Sequence, residues 1–146
     1  MQKTGLAFWL GILAALPTLA QAGPPTGITV QNPWVRYLLP NLPAGVYLTL
    51  TNGSDTPAML TGARSPACSM LMLHESMDAG GTSMMMGVSS IQVPAHGSAA
   101  LSEGGYHLMC MDPKMHVGSE IPVTLEFRDG SLLTLTAPVY GASGAP

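Results

Sequence analysis

"GGYHLMCMD", residues Gly104–Asp112, carries the pattern from which the rest of the chain can be read. Two glycines open it, and the side chains then alternate. Tyr106, Leu108 and Cys110 fall on one side, and His107, Met109 and Met111 on the other. A period of two marks a strand with one face in a core. Tyr, Leu and Cys suit that core face. The opposite side is unusual, because a strand that only had to pack would use Val, Ile or Leu there. It presents an imidazole and two thioethers instead.

The same alternation recurs along the chain. "GVYLTLTN" sets Val46, Leu48 and Leu50 against Tyr47, Thr49 and Thr51, and "IPVTLEF" sets Val123, Leu125 and Phe127 against Thr124 and Glu126. "SLLTLTAPV" places Leu133, Leu135, Ala137 and Val139 on one side. Further short runs ("GITV", "PAMLTGA", "CSMLMLH", "TSMMMG", "SSIQVP", "GSAALS") lie between Gly, Pro, Asn and Asp punctuation. No convincing amphipathic helix interrupts them. Eight or nine strands at a spacing of roughly 8–12 residues predict a single all-β domain, an antiparallel sandwich or small barrel.

The chain opens with "MQKTGLAFWLGILAALPTLAQAG". A lone Lys3, an apolar run from Leu6 to Leu16 and a small-residue end, Ala20-Gln21-Ala22, have the order of a secretory signal peptide, with cleavage expected after Ala22. The run is shorter than the ~20 residues that span a bilayer. No cysteine stands at the cleavage point, so neither a membrane anchor nor a lipid anchor is expected. Residues 23–146 then form the exported domain, ending in a loose "GASGAP". Beyond the leader the basic residues are Arg36, Arg64, Lys114 and Arg128, against eight acidic ones. Without a basic cluster, nucleic acid and anionic membrane are poor partners. Cys68 and Cys110 make an even pair, which in an exported protein invites a disulfide. Strand parity puts Cys68 with Met70, Met72 and His74 on the face opposite the inward Leu71 and Leu73, and Cys110 on a core face, which argues against the bond.

Methionine is over-used: eleven, against two Trp, four Tyr and two Phe. Met is ordinarily adaptable core filler, and Met59 reads that way. Most of the others crowd between residues 70 and 115, where three of the four histidines also lie, with His116 directly after. "GGTSMMMG" offers no packing reason for its triplet. Residues i and i+2 of a strand share a face ~7 Å apart. His107 with Met109, and His74 with Met72, therefore form two rows of nitrogen and sulfur donors, and Met84-Met85-Met86 on the connection between them can swing in another sulfur.

Such donors select a particular ion. Thioether sulfur is soft and uncharged and suits Cu(I). Zinc prefers thiolate, imidazole and carboxylate, and calcium and magnesium prefer oxygen. Neutral ligands also leave the ion's charge uncompensated, which favours +1 over +2. Thiolates would bind more tightly but oxidise outside the cytoplasm. A His/Met set therefore fits a carrier that must release its cargo. Glu75 and Asp78 read as solvated turn residues, and no nucleophile or oxyanion device accompanies them, so no enzyme is expected.

These residues resemble the periplasmic copper chaperones called PCu(A)C, whose motif is a His, ten residues, a Met, twenty-one residues, then His-x-Met. From His74, ten residues lead to Met85, and twenty-one more lead to His107-Leu108-Met109. "NPWVR", "AGVYLTLTN", "LHES" and "GGYHLM" are similar to the family's text, and the resemblance runs from about Ile28 to Val139. It implies a cupredoxin-like β-sandwich in the periplasm, with His74, Met85, His107 and Met109 as Cu(I) ligands. It also implies a monomeric carrier that supplies the binuclear copper centre of cytochrome c oxidase or an assembly factor for it. The His/Met-rich C-terminal extension of some members is absent, and Met84, Met86, Met111, Met115 and His116 are left as candidates for an auxiliary site. Two other readings stay open: a blue-copper electron carrier using His74, Cys110, His116 and a Met, and a metal-free interaction module with Met as an adaptable surface.

Overall fold

The computed structural model describes residues 22–146, and residues 1–21 of the predicted leader lie outside them. Ten strands follow in order: β1 (Ile28–Arg36), β2 (Ala44–Asn52), β3 (Ala58–Arg64), β4 (Met70–Ala79), β5 (Thr82–Gly87), β6 (Ile91–Val93), β7 (Ser98–Leu101), β8 (Tyr106–Met111), β9 (Glu120–Phe127) and β10 (Leu132–Tyr140). They form one sheet in the order β5-β4-β8-β7-β2-β1-β10-β9-β3-β6. Direct β8–β2 and β4–β3 pairing, the latter through Ala63 and Leu71, curls the sheet back on itself into a barrel. The all-β, single-domain expectation holds, with more strands than the eight or nine expected. Pairing is antiparallel except where β1 meets β10 and β7 meets β8.

Alternation fills the interior. Val35, Val46, Leu50, Leu60, Leu108, Val123 and Leu125 are fully buried, each contributing ~1.5–3 kcal/mol from apolar area removed from water. A small barrel packed this way has no room for a ligand inside, so a functional site must be built on the outer face. One polar group is drawn into the core. Asn52, 1 % exposed, donates through Nδ2 to the carbonyls of Thr56 (2.8 Å) and Val93 (3.2 Å), while its Oδ1 accepts from Ser54 N and Oγ. Every hydrogen-bonding position on that buried side chain is used, which ties the end of β2 to β6.

Two expectations need correction. Cys68 and Cys110 do form a disulfide, with an S–S distance of 2.02 Å and a Cα–Cα distance of 5.3 Å. Strand parity failed because Cys68 precedes the first residue of β4. It sits in a turn, its N–H bonded to Ser65 O, and that turn sends the sulfur inward to buried Cys110. The second correction concerns β4, which runs on to Ala79 and pairs with β5 from His74–Gly87 to Ala79–Thr82. The run "TSMMMG" is a strand, as its place among the short runs predicted, but Met84, Met85 and Met86 are paired in it along the sheet edge and do not swing free, and Glu75 and Asp78 are strand rather than turn residues.

Candidate metal centre

The cross-strand register assembles the site. In the β4–β8 ladder His74 stands directly opposite His107, and Met72 opposite Met109. On the other side of β4, Met85 stands opposite Ser76, which shares a face with His74. Gly45 of β2 stands opposite Met109. All four predicted ligands thus lie on one outer face. His107, Met109 and Met85 line a single cleft of ≈ 390 Å³, and the His74 ring lies 5.9 Å from that of His107 at the border of a neighbouring depression.

The two imidazoles are held differently. Although it stands on the outer face of β8, His107 is only 6 % exposed. Its Nδ1 lies 3.1 Å from Gly105 O, which also accepts from Ser76 N at 3.0 Å. A carbonyl can only accept, so Nδ1 carries the proton and Nε2 keeps its lone pair. That is the usual way a ligating imidazole is oriented by its other nitrogen. The Nδ1 of His74 is buried with no hydrogen-bond partner. Burial, and secondarily the nearby His107, hold His74 below the usual 6.5. The ring stays neutral at physiological pH, as a metal ligand requires. Met109 is half-buried and Met85 is 59 % exposed, so Met85 is the outermost of the four candidates.

The surroundings include residues that motif spacing did not single out. Tyr47, 6.3 Å from the His107 ring between centroids, packs against Trp34 at 4.7 Å. A bulge in β1 between Gln31 and Trp34, with Asn32 at φ 49°, aligns Trp34 with Tyr47. The Tyr47 hydroxyl folds back over Gly45, where a Cβ would lie 2.5 Å from it, so only glycine fits beneath. Arg36 pairs with Glu103 at 2.6 Å on the cleft wall, and Leu38 and Leu42 form an exposed apolar lip. The outward position of Tyr47 in "AGVYLTLTN" was the one sequence signal for this shell.

The remaining candidates fall elsewhere. Met115 is buried at 8 % exposure in the core, and His116 is exposed. His96 is exposed and pairs with Asp55 at 2.5 Å. Cys110 has no thiolate to offer, because it is bonded to Cys68, and the blue-copper arrangement loses its central ligand. Among the described residues no three or more His, Cys, Asp and Glu converge on a possible ion. Beside the two imidazoles, the donors on this face are the thioether sulfurs of Met72, Met85 and Met109.

Comparisons with known proteins bear on the family and the fold. Residues 28–139 match the family described as "LpqE-like: Putative lipoprotein LpqE-like". The chain is 36 % identical over 122 residues to "Putative lipoprotein Lxx21020" of Leifsonia xyli subsp. xyli, covering 82 % of this chain and 73 % of that one. Among solved structures it is similar to "Copper-bound PCuAC domain from PmoF2", with TM-score 0.66, 25 % identity, 79 % of this chain and 93 % of that one. It is also similar to "Solution structure of CuI-DR1885 from Deinococcus Radiodurans", with TM-score 0.61, 34 % identity, 84 % of this chain and 83 % of that one. By the extent of the family match and the identity to the Leifsonia protein, the chain belongs to the LpqE-like family and has the fold of the PCuAC domains.

Proposed function

We propose that this protein is a periplasmic Cu(I) carrier that holds one ion between His74, Met85, His107 and Met109 and passes it on by ligand exchange. The observation that carries the reading is the His74–His107 rung with thioethers beside it and, among the described residues, no cluster of three or more His, Cys, Asp and Glu to compete for an ion. Two neutral imidazoles and two thioethers favour soft, singly charged Cu(I) over zinc or calcium. The solved structures described as copper-bound and CuI-bound support the same cargo. The Cys68–Cys110 disulfide supports an oxidising compartment, in keeping with the predicted leader and with cleavage after Ala22.

Transfer follows from the gradient of burial. His107 is fixed and covered, whereas Met85 stands on an exposed edge strand. An acceptor bringing its own soft ligands displaces Met85 first and the imidazoles last. No bond in the protein is made or broken, so the work is that of a carrier and not of an enzyme. The acceptor we propose is the binuclear copper centre of cytochrome c oxidase or an assembly factor for it, approached by a monomeric carrier. The test is anaerobic competition for Cu(I) with a chelator of known affinity. The wild type should hold one tightly bound ion, His107→Ala should lose it, and Met85→Leu should weaken it at least tenfold. Unchanged affinity in His107→Ala would leave the metal-free interaction module as the better reading.

A further inference from the structure

The donor ladder continues past the two imidazoles and Met109. Beyond the Met72–Met109 rung, Met70 stands directly opposite Met111. Residues at i, i+2 and i+4 of a strand share a face, so Met70, Met72 and His74 on β4 face the same way as Met111, Met109 and His107 on β8. Their alternate neighbours Leu71, Leu73, Leu108 and Cys110 are the ones in the core. Met109 belongs to the four-ligand site, but Met70, Met72 and Met111 have no part in it. Packing does not account for them either, since Met70 is 56 % exposed and the other two are half-buried.

We infer that Met70, Met72 and Met111 form a second, weaker Cu(I) site made of thioethers alone, one rung along the ladder from the first. Directly opposed side chains in an antiparallel pair have Cβ atoms about 4.5–5.5 Å apart, and neighbours along a strand lie about 7 Å apart. The flexible thioether arms close such gaps easily. The backbone beneath them is held from both sides. Ser69 N donates to Met111 O at 3.0 Å, and Ser69 Oγ bonds Asp112 Oδ2 at 2.7 Å. From inside, the Cys68–Cys110 disulfide joins the same two segments. Only side-chain rotamers remain to be ordered when an ion binds. The Asp112 carboxylate at this end favours a cation, and the all-sulfur set excludes zinc, calcium and magnesium.

The identity of the ion rests on the carrier reading, whereas the ligand set does not. Without imidazole, and with a like charge about 7 Å away, the second ion binds more weakly than the first, by on the order of tenfold. The ladder rises from exposed Met70 to covered His107. An ion moving along it changes one ligand at a time and never leaves sulfur.

The test is an anaerobic titration of the purified protein, labelled with ¹³C-methyl methionine, with Cu(I) and observation of each methyl resonance. The first equivalent should move Met85 and Met109, and the second should move Met70, Met72 and Met111. Met70→Leu/Met111→Leu should bind a single equivalent with its affinity unchanged within about threefold, since both changes keep apolar volume. A second equivalent that fails to bind, or that binds with Met70, Met72 and Met111 unmoved, overturns the inference. Failure of the four-ligand site looks different: Met85 and Met109 stay unmoved at the first equivalent, whatever the second does.

Discussion

Replacing both cysteines, Cys68→Ala with Cys110→Ala, probes how the site's two strands are held. The bond closes a loop with a sequence separation of 42. Loop-closure entropy for that length gives about 4 kcal/mol at 25 °C that the unfolded chain recovers when the bond is removed. A domain of about 120 residues unfolds with an entropy near 0.25 kcal/mol/K, so each kcal/mol moves Tm by about 4 °C and the predicted fall is about 16 °C. The fold itself should survive, because six directly paired positions from Met70–Met111 to Glu75–Tyr106 keep β4 in register with β8. Thermal unfolding followed by circular dichroism, on metal-free wild type and variant, measures the shift. Thiol titration of the unfolded wild type should find no free cysteine. A fall of less than about 4 °C, or titratable thiols in the wild type, would refute the reasoning.

Three further outcomes are expected. Asn52→Asp turns a buried double donor into an acceptor facing the carbonyls of Thr56 and Val93, and should cost about 2–3 kcal/mol by urea unfolding; a cost under about 0.5 kcal/mol contradicts the network. Gly45→Ala forces the Tyr47 hydroxyl away from β2 and off its packing with Trp34. A loss of about 1–3 kcal/mol and a changed Trp34 emission should accompany it, and an unaltered spectrum would contradict the close approach. Because burial and His107 hold His74 below 6.5 in the folded metal-free protein, the unfolded chain takes up the proton first. That contribution to stability is present above pH 6.5 and is lost as pH falls through the folded value. His74→Gln should therefore flatten the pH dependence of Tm between pH 7 and 5, and identical curves would contradict it.

The strands and the face each residue takes were legible because a single period governs both. Val46, Leu48 and Leu50 point inward and Tyr47 outward for the reason that Leu108 points inward and His107 outward. The rule failed where the chain leaves the strand. Cys68 belongs to a turn, and no period tells which way a turn residue faces, so the disulfide was read against the pattern that governs its neighbours. The run holding Met84–Met86 was legible as a strand but its partner was not, because an exposed edge strand shows no alternation to say which face each sulfur takes. The candidate ligands were legible as donor types. Their approach was not, since the opposition of His74 and His107 depends on a register set by long-range pairing. The covering of His107 depends on Tyr47 and the Gly105 carbonyl, which the motif does not contain.

The central claim is tested most directly by an X-ray absorption spectrum at the copper edge of the protein loaded anaerobically with one equivalent of Cu(I). The account predicts a Cu(I) edge with mixed nitrogen and sulfur scattering, and a loss of nitrogen scattering in His107→Ala. A Cu(II) edge, scattering from oxygen and nitrogen without sulfur, or no copper retained after desalting would contradict it.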